Sequence, residues 1–188
     1  MQLLLHLRFT LTSIIIALFI AACGGSGADS GVNAEPQQQE DDSGTLSPDV
    51  DGVPADVLEN LDRTGTLLGI DDDSDGVRDD IGAYINQRFS DAEQRSAARQ
   101  FARSMSLMLA VPENDQAAAI EADRQNALSE DCVFEKFLNR EGSISPYIVI
   151  DEIESLTTNT KMRLTTYLAR DKLLSGTISS LPDGETCD

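Results

Sequence analysis

Hydrophobic and polar residues are distributed very differently in three stretches of the chain. Residues 1–22 (MQLLLHLRFTLTSIIIALFIAA) are apolar, with one basic residue, Arg8, and no acidic one. The strongest run, Phe9 to Ile20, has the length of a signal-peptide apolar core. Residues 24–50 carry almost no large apolar side chain. From Gly52 onward, apolar residues return at helical spacing. Pro54, early in a turn with Val57, Leu58 and Leu61 on one side, predicts a short helix. Val77, Ile81, Tyr84 and Ile85 recur at helical spacing through about Phe89. Ser90-Asp91-Ala92-Glu93 reads as a capping box. It opens a helix whose apolar face is Ala98, Phe101, Ala102, Met105, Met108 and Leu109, and Pro112 stops it. A third long helix is expected over about 113–138, burying Ala117, Ile120, Ala127, Phe134 and Leu138. After Gly142 and Pro146, the stripe Ile153, Leu156, Thr160, Leu164, Tyr167, Leu168 and Leu174 predicts the last helix, ending near Gly176. Tyr147 to Ile150 has strand-like composition but no partner. The Met and Phe stripes read as core. The expected fold is all-α: a small bundle of four to five helices over residues 51–188.

Residues 20–23, Ile20-Ala21-Ala22-Cys23, resemble the lipobox of bacterial lipoproteins: an aliphatic residue, two small ones, then cysteine. The resemblance implies that 1–22 is a cleaved signal peptide and that Cys23 carries lipid on its sulfur and an acylated amine. Such anchors are stable because several acyl chains each contribute about 0.8 kcal/mol per buried CH₂. Gly24, rather than Asp, after the cysteine implies the outer membrane under the sorting rule of that family. The alternative is an uncleaved membrane span over residues 3–22, which is long enough. Gly24-Gly25 and the polar segment that follows lack the basic flank of a stop-transfer anchor. With Cys23 taken by lipid, Cys132 and Cys187 remain. In an oxidising compartment they are expected to form a disulfide. Closing a loop of about 55 residues would stabilise by roughly 4 kcal/mol in the chain-entropy model.

Charge sharpens this division. The net charge of −19 is concentrated upstream: residues 29–80 hold sixteen acidic side chains against two basic ones, Arg63 and Arg78. From Ile81 there are seventeen acidic and eleven basic residues. No basic patch exists for nucleic acid, and the balance favours cations as partners. Residues 23–50, rich in Gly, Ser, Gln, Pro and acid, cannot bury enough surface to offset their ordering entropy and are expected to be a disordered tether. As a flexible chain, it would reach about 30 Å from the membrane.

One segment carries chemistry. Asp71-Asp72-Asp73-Ser74-Asp75-Gly76-Val77-Arg78-Asp79-Asp80 follows the pattern D-x-D-x-D-G-x-x-D and resembles the calcium loops of EF-hands, dockerins and thrombospondin type-3 repeats. Calcium is a hard cation that takes six to eight oxygens, and carboxylates at alternate positions converge when the chain curls around it. The expected ligands are Asp71, Asp73, Asp75, the carbonyl of Val77, and Asp79, within a loop spanning 71–82. Asp79 and Asp80 would lie in the first turn of a following helix, where negative charge is favourable. Thr64 to Ile70 is too glycine-rich for a good incoming helix, which favours the loop-then-helix arrangement of thrombospondin repeats and dockerins. The twelfth position, Gly82, lacks the closing carboxylate. Asp80, a distant acid such as Glu130 or Asp131, or water must complete the shell. Together, the lipobox and this loop resemble a loose group of secreted proteins and lipoproteins of Gram-negative bacteria, which implies fold and compartment but no activity.

The only histidine, His6, lies in the signal. The mature chain therefore lacks His-based acid–base or nucleophilic chemistry and an ordinary zinc site. It carries no G-x-S-x-G, H-E-x-x-H or phosphate loop. No small-molecule substrate is indicated. The sequence reads as a non-catalytic, membrane-anchored envelope lipoprotein that binds Ca²⁺ for stability or docking. The alternatives are an adhesion module with a solvated acidic loop and an envelope protein as partner and, more remotely, a carboxylate-based hydrolase.

Overall fold

Caps and breakers divide the chain into six helices among the residues described by the computed structural model, which are 52–138, 140–178, 180 and 184–188. These are α1 (Ala55–Glu59), α2 (Asp79–Arg88), α3 (Ala92–Ala110), α4 (Gln116–Phe137), α5 (Pro146–Thr157) and α6 (Lys161–Leu173). No strand occurs among the described residues, so the domain is all-α. The expected signal peptide (1–22), Cys23 and the expected tether (23–50) lie outside the described residues. Among those described, no helix is long and apolar enough to cross a membrane.

Side-chain caps set three of the helix starts. The Asp91 carboxylate accepts the Gln94 N–H at 3.0 Å and opens α3. The cap is thus Asp91 and not Ser90. Both residue types cap well, but only Asp91 lies three positions before the amide it satisfies. Asp115 opens α4 by accepting the Ala118 N–H at 3.0 Å, and Thr160 opens α6 by accepting that of Arg163 at 3.2 Å. Pro146 at the first position of α5 needs no amide partner, which suits it to start a helix. Tyr147 to Ile150 is therefore the first turn of α5, and Tyr147 meets Phe134 of α4 edge-on at 4.9 Å. The last helical stripe is broken in two at Thr158–Asn159. The Thr157 and Thr158 hydroxyls bond back to the carbonyls of Ile153 and Glu154, competing with helix continuation before Thr160 caps the next helix.

The core forms around α3. Ala98, Phe101, Ala102 and Met105 pack with Ile81, Tyr84 and Ile85 of α2, Cys132, Val133 and Phe137 of α4, and Val149, Ile153 and Leu156 of α5. The expected face of α3 is the observed one. The expected face of α4 is not. Ala117, Ile120 and Leu138 are exposed and Phe134 is half-buried, while Ala119, Ala122, Ser129, Cys132, Val133 and Phe137 face inward. The inward stripe is made partly of small and polar residues, because α3 and α4 approach through Ser104 and Ser129, whose hydroxyls lie 2.8 Å apart. Counting large apolar side chains therefore selects the wrong face. α6 departs further: Leu168 is 54% exposed, whereas Arg163 is fully buried and Arg170 nearly so.

Buried charge ties elements together. Glu152 of α5 is 1% exposed and accepts the Tyr84 hydroxyl and the Arg88 guanidinium at 2.9 Å, linking α2 to α5. The C-terminal tail is held by the Cys132–Cys187 disulfide. Both ends of the Gln100 amide reinforce it, donating to the Thr186 carbonyl and accepting the Asp188 N–H.

Candidate metal centre

The acidic loop is positioned from below before its own carboxylates act. The Asp62 carboxylate accepts the N–H of Thr64 at 2.6 Å and of Ile70 at 2.8 Å, curling residues 62–70 into a non-helical turn. The Ile70 carbonyl then accepts the Asp79 N–H at 2.9 Å, so the start of α2 is fastened to the residue preceding the loop. Gly69, at φ +75°, is required here: a Cβ would lie 2.2 Å from Cδ of Arg78 and 2.6 Å from Oδ2 of Asp62.

Two arginines fill the space behind this turn. Arg163 donates to the backbone carbonyls of Asp62, Thr66 and Leu67 and to Oδ1 of Asn159. Arg78 donates to the Leu156 carbonyl at 2.8 Å and pairs with Asp80 at 2.6 Å. Asp80 also accepts the Asp62 N–H at 2.7 Å. Burial pushes the Asp62 carboxyl up, but the hydrogen bonds from Thr64 and Ile70 and the charge of Arg163 outweigh it and bring the carboxyl down to about 2. Burial, and then the Arg78 charge, pull the Arg163 guanidinium below its ordinary value, against the opposing pull of Asp62 and Asp80.

Within the loop, the four carboxylates expected as ligands are each met by a backbone amide. Asp71 accepts the N–H of Asp75 at 3.2 Å and of Gly76 at 3.0 Å, Asp73 accepts that of Asp75 at 3.2 Å, and Asp75 accepts that of Val77 at 2.8 Å. Asp79 reaches back from the first turn of α2 to the Asp72 N–H at 3.3 Å. Gly76 takes φ +83°, the turn that glycine at the sixth position is expected to supply. The buried Val77 side chain anchors the loop to the core.

The curl brings three of the expected ligands together. One carboxylate oxygen each from Asp71, Asp73 and Asp79 lies within 4.8 Å of the others, with Asp71 half-buried and the other two exposed. Calcium holds its oxygens at 2.3–2.6 Å, so two ligands of one ion sit at most about 5 Å apart. The donor set and its spacing fit such an ion.

Asp75 is engaged elsewhere. Its Oδ2 takes a guanidinium N–H of Arg99, on α3, at 2.7 Å. The same guanidinium faces the twelfth position: a Cβ on Gly82 would meet both Arg99 Nη atoms at 3.6 Å. None of the acids expected to close the shell reaches it. Asp80 is turned to Arg78 and Asp62, and Asp131 accepts the Thr186 hydroxyl. Glu130 accepts the Asn126 amide and feels Glu154 and Asp123. Arg99, Arg163 and the Leu156 contact of Arg78 escape sequence reading because each reaches a partner far along the chain, and Asp62 is fixed by Arg163 in the same way. Only Asp62, eight residues before Ile70, leaves a local signal: an acid placed to accept turn amides.

No family model, curated protein or solved structure matches the chain.

Proposed function

We propose that the protein is a non-catalytic envelope lipoprotein, anchored through Cys23 to the outer membrane, whose helical domain binds one Ca²⁺ in the loop 71–82. The observation that carries the reading is the convergence of Asp71, Asp73 and Asp79 in a loop already curled by its own amides. Because the backbone is shaped before an ion arrives, binding costs little ordering entropy. The lipobox supports the anchor, and the Cys132–Cys187 disulfide suits an oxidising compartment. The carbonyl of Val77 would add a ligand, and water would fill the rest, with Asp75 held by Arg99. A shell so open to solvent suits the weak range in which extracellular calcium modules work, about 10⁻⁴–10⁻³ M.

The role of the ion in this reading is to fix the loop against α2 and so to stabilise or dock the domain. At about 5 mM calcium, such affinities stabilise by about 1–2 kcal/mol, a rise in Tm of about 3–6 °C. Asp73→Ala should abolish the rise while leaving the Tm in chelator nearly unchanged, because Asp73 is exposed. A melting curve that ignores calcium would sink the reading and leave a solvated acidic loop on an interaction module. Lipidation is tested separately, by metabolic labelling with a fatty acid in wild type and Cys23→Ala.

A further inference from the structure

We infer that Arg99 is the resident counter-cation of the acidic loop, holding it folded in the absence of a divalent ion and weakening that ion's binding. The inference rests on the calcium reading for its second half only. Geometry supports the first half. Arg99 projects from α3 to the Asp75 carboxylate at 2.7 Å and lies beside Gly82, the twelfth position, where related loops carry their closing carboxylate. It also donates to Oδ1 of Asn86 at 3.3 Å, which fixes the guanidinium plane between α2 and the loop. The other two arginines near the loop are committed elsewhere. The stem of Arg103 lies against Gly76 but its guanidinium goes to Asp188, and Arg78 goes to Asp80.

The physical consequence follows from sign. Five carboxylates within nine residues, 71–79, repel one another, and one positive charge placed among them relieves part of that repulsion. The guanidinium stands where a carboxylate would otherwise complete a calcium shell. It therefore replaces an attraction by a repulsion toward any incoming divalent cation. At separations of several ångströms, even in a water-like dielectric, a single charge facing a divalent ion is worth about a tenfold change in affinity. At the twelfth position this loop therefore has a glycine with a fixed guanidinium beside it and no carboxylate.

The test compares the full chain as wild type, Arg99→Gln, Arg99→Lys and Arg124→Gln, the last removing an exposed arginine of α4 paired with Glu121. Each is melted in EDTA and in about 5 mM CaCl₂, and calcium affinity is measured by calorimetry. In EDTA, Arg99→Gln should melt about 3 °C below wild type, with Arg99→Lys and Arg124→Gln close to it. Calcium should close the gap, and Arg99→Gln should bind it about tenfold more tightly than wild type. The inference is overturned if Arg99→Gln matches wild type in EDTA, binds calcium no more tightly, or is copied by Arg99→Lys. Failure of the calcium reading looks different. If neither wild type nor Arg99→Gln binds calcium, the calcium reading and the second half of this inference fall and the melt in EDTA decides the first half; if wild type binds and Arg99→Gln is no tighter, only this inference falls. Binding by Arg99→Gln alone supports it, with the wild-type loop closed by its own arginine.

Discussion

Asp62, Asp75 and Asp80 each meet backbone N–H groups or an arginine, whereas Glu130 and Glu154, from α4 and α5, meet mainly other carboxylates. In the first region the fold supplies the acids with donors. Asp62 is brought down to about 2 by amides and Arg163, and Asp75 and Asp80 are paired with Arg99 and Arg78. In the second region the fold disfavours ionised acids. Burial and then the charges of Asp151 and Asp171 push the Glu154 carboxyl up. Burial, Glu154 and Asp123 do the same to Glu130, against one hydrogen bond from Asn126. The Tyr167 hydroxyl beside them is pushed up to about 12, first by burial and then by the same acids. Asp62 on one side and Glu130 and Glu154 on the other thus shift in opposite directions. What separates them is whether donors were built in, not how many acids are present.

The largest expected break in this contrast is Arg163→Met. The guanidinium is fully buried and satisfies the carbonyls of Asp62, Thr66 and Leu67 as well as Asn159. Removing it leaves the Thr66 and Leu67 carbonyls without this donor, whereas the Asp62 carbonyl keeps the Asn159 amide, Asn159 keeps Arg78, and the Asp62 carboxylate keeps the Thr64 and Ile70 amides. That should cost about 3–5 kcal/mol and lower the Tm by about 10 °C or more, read by thermal and urea unfolding. A loss no greater than that of the exposed Arg124→Ala would show that the amides alone sustain the turn.

The second test uses pH. A carboxyl whose folded value lies below its unfolded one contributes stability that is present above the unfolded value and is lost as pH falls through the folded one. For Asp62 the window runs from 3.8 down to about 2, and the contribution is about 2 kcal/mol. Urea midpoints measured across that window should fall steeply in wild type and less steeply in Asp62→Asn. Parallel slopes would show that Asp62 is not held down.

The two regions also differ in how far the sequence reveals them. The loop is legible because its residues are neighbours in the chain: alternate carboxylates, one glycine and one valine suffice to write a turn that gathers acids. Asp71, Asp73 and Asp79 do converge, and a helix does follow. The α3 stripe is legible for the same local reason. The arginines are not. Arg99 is 24 residues from Asp75, and Arg163 is 101 from Asp62, so no spacing rule connects them. The inward face of α4 was missed because Ser129 and Ala122 pack by being small. The Glu130–Glu154 group was invisible because it is assembled from separate helices. Sequence periodicity reports what a helix can bury; which polar side chains it does bury depends on partners far along the chain.

The smallest effect tests the unfavourable side. The folded value of Glu154 is raised, so its ionised form is disfavoured in the fold at neutral pH, and stability should increase as pH falls toward that value. Glu154→Gln removes the charge while keeping the shape. It should raise the Tm at neutral pH by about 2 °C, an effect of order 0.5 kcal/mol. It should also flatten the rise in stability on mild acidification. A Tm for Glu154→Gln below that of wild type would mean that Glu154 is held by contacts worth more than the repulsion, and the contrast between the regions would collapse to one of degree.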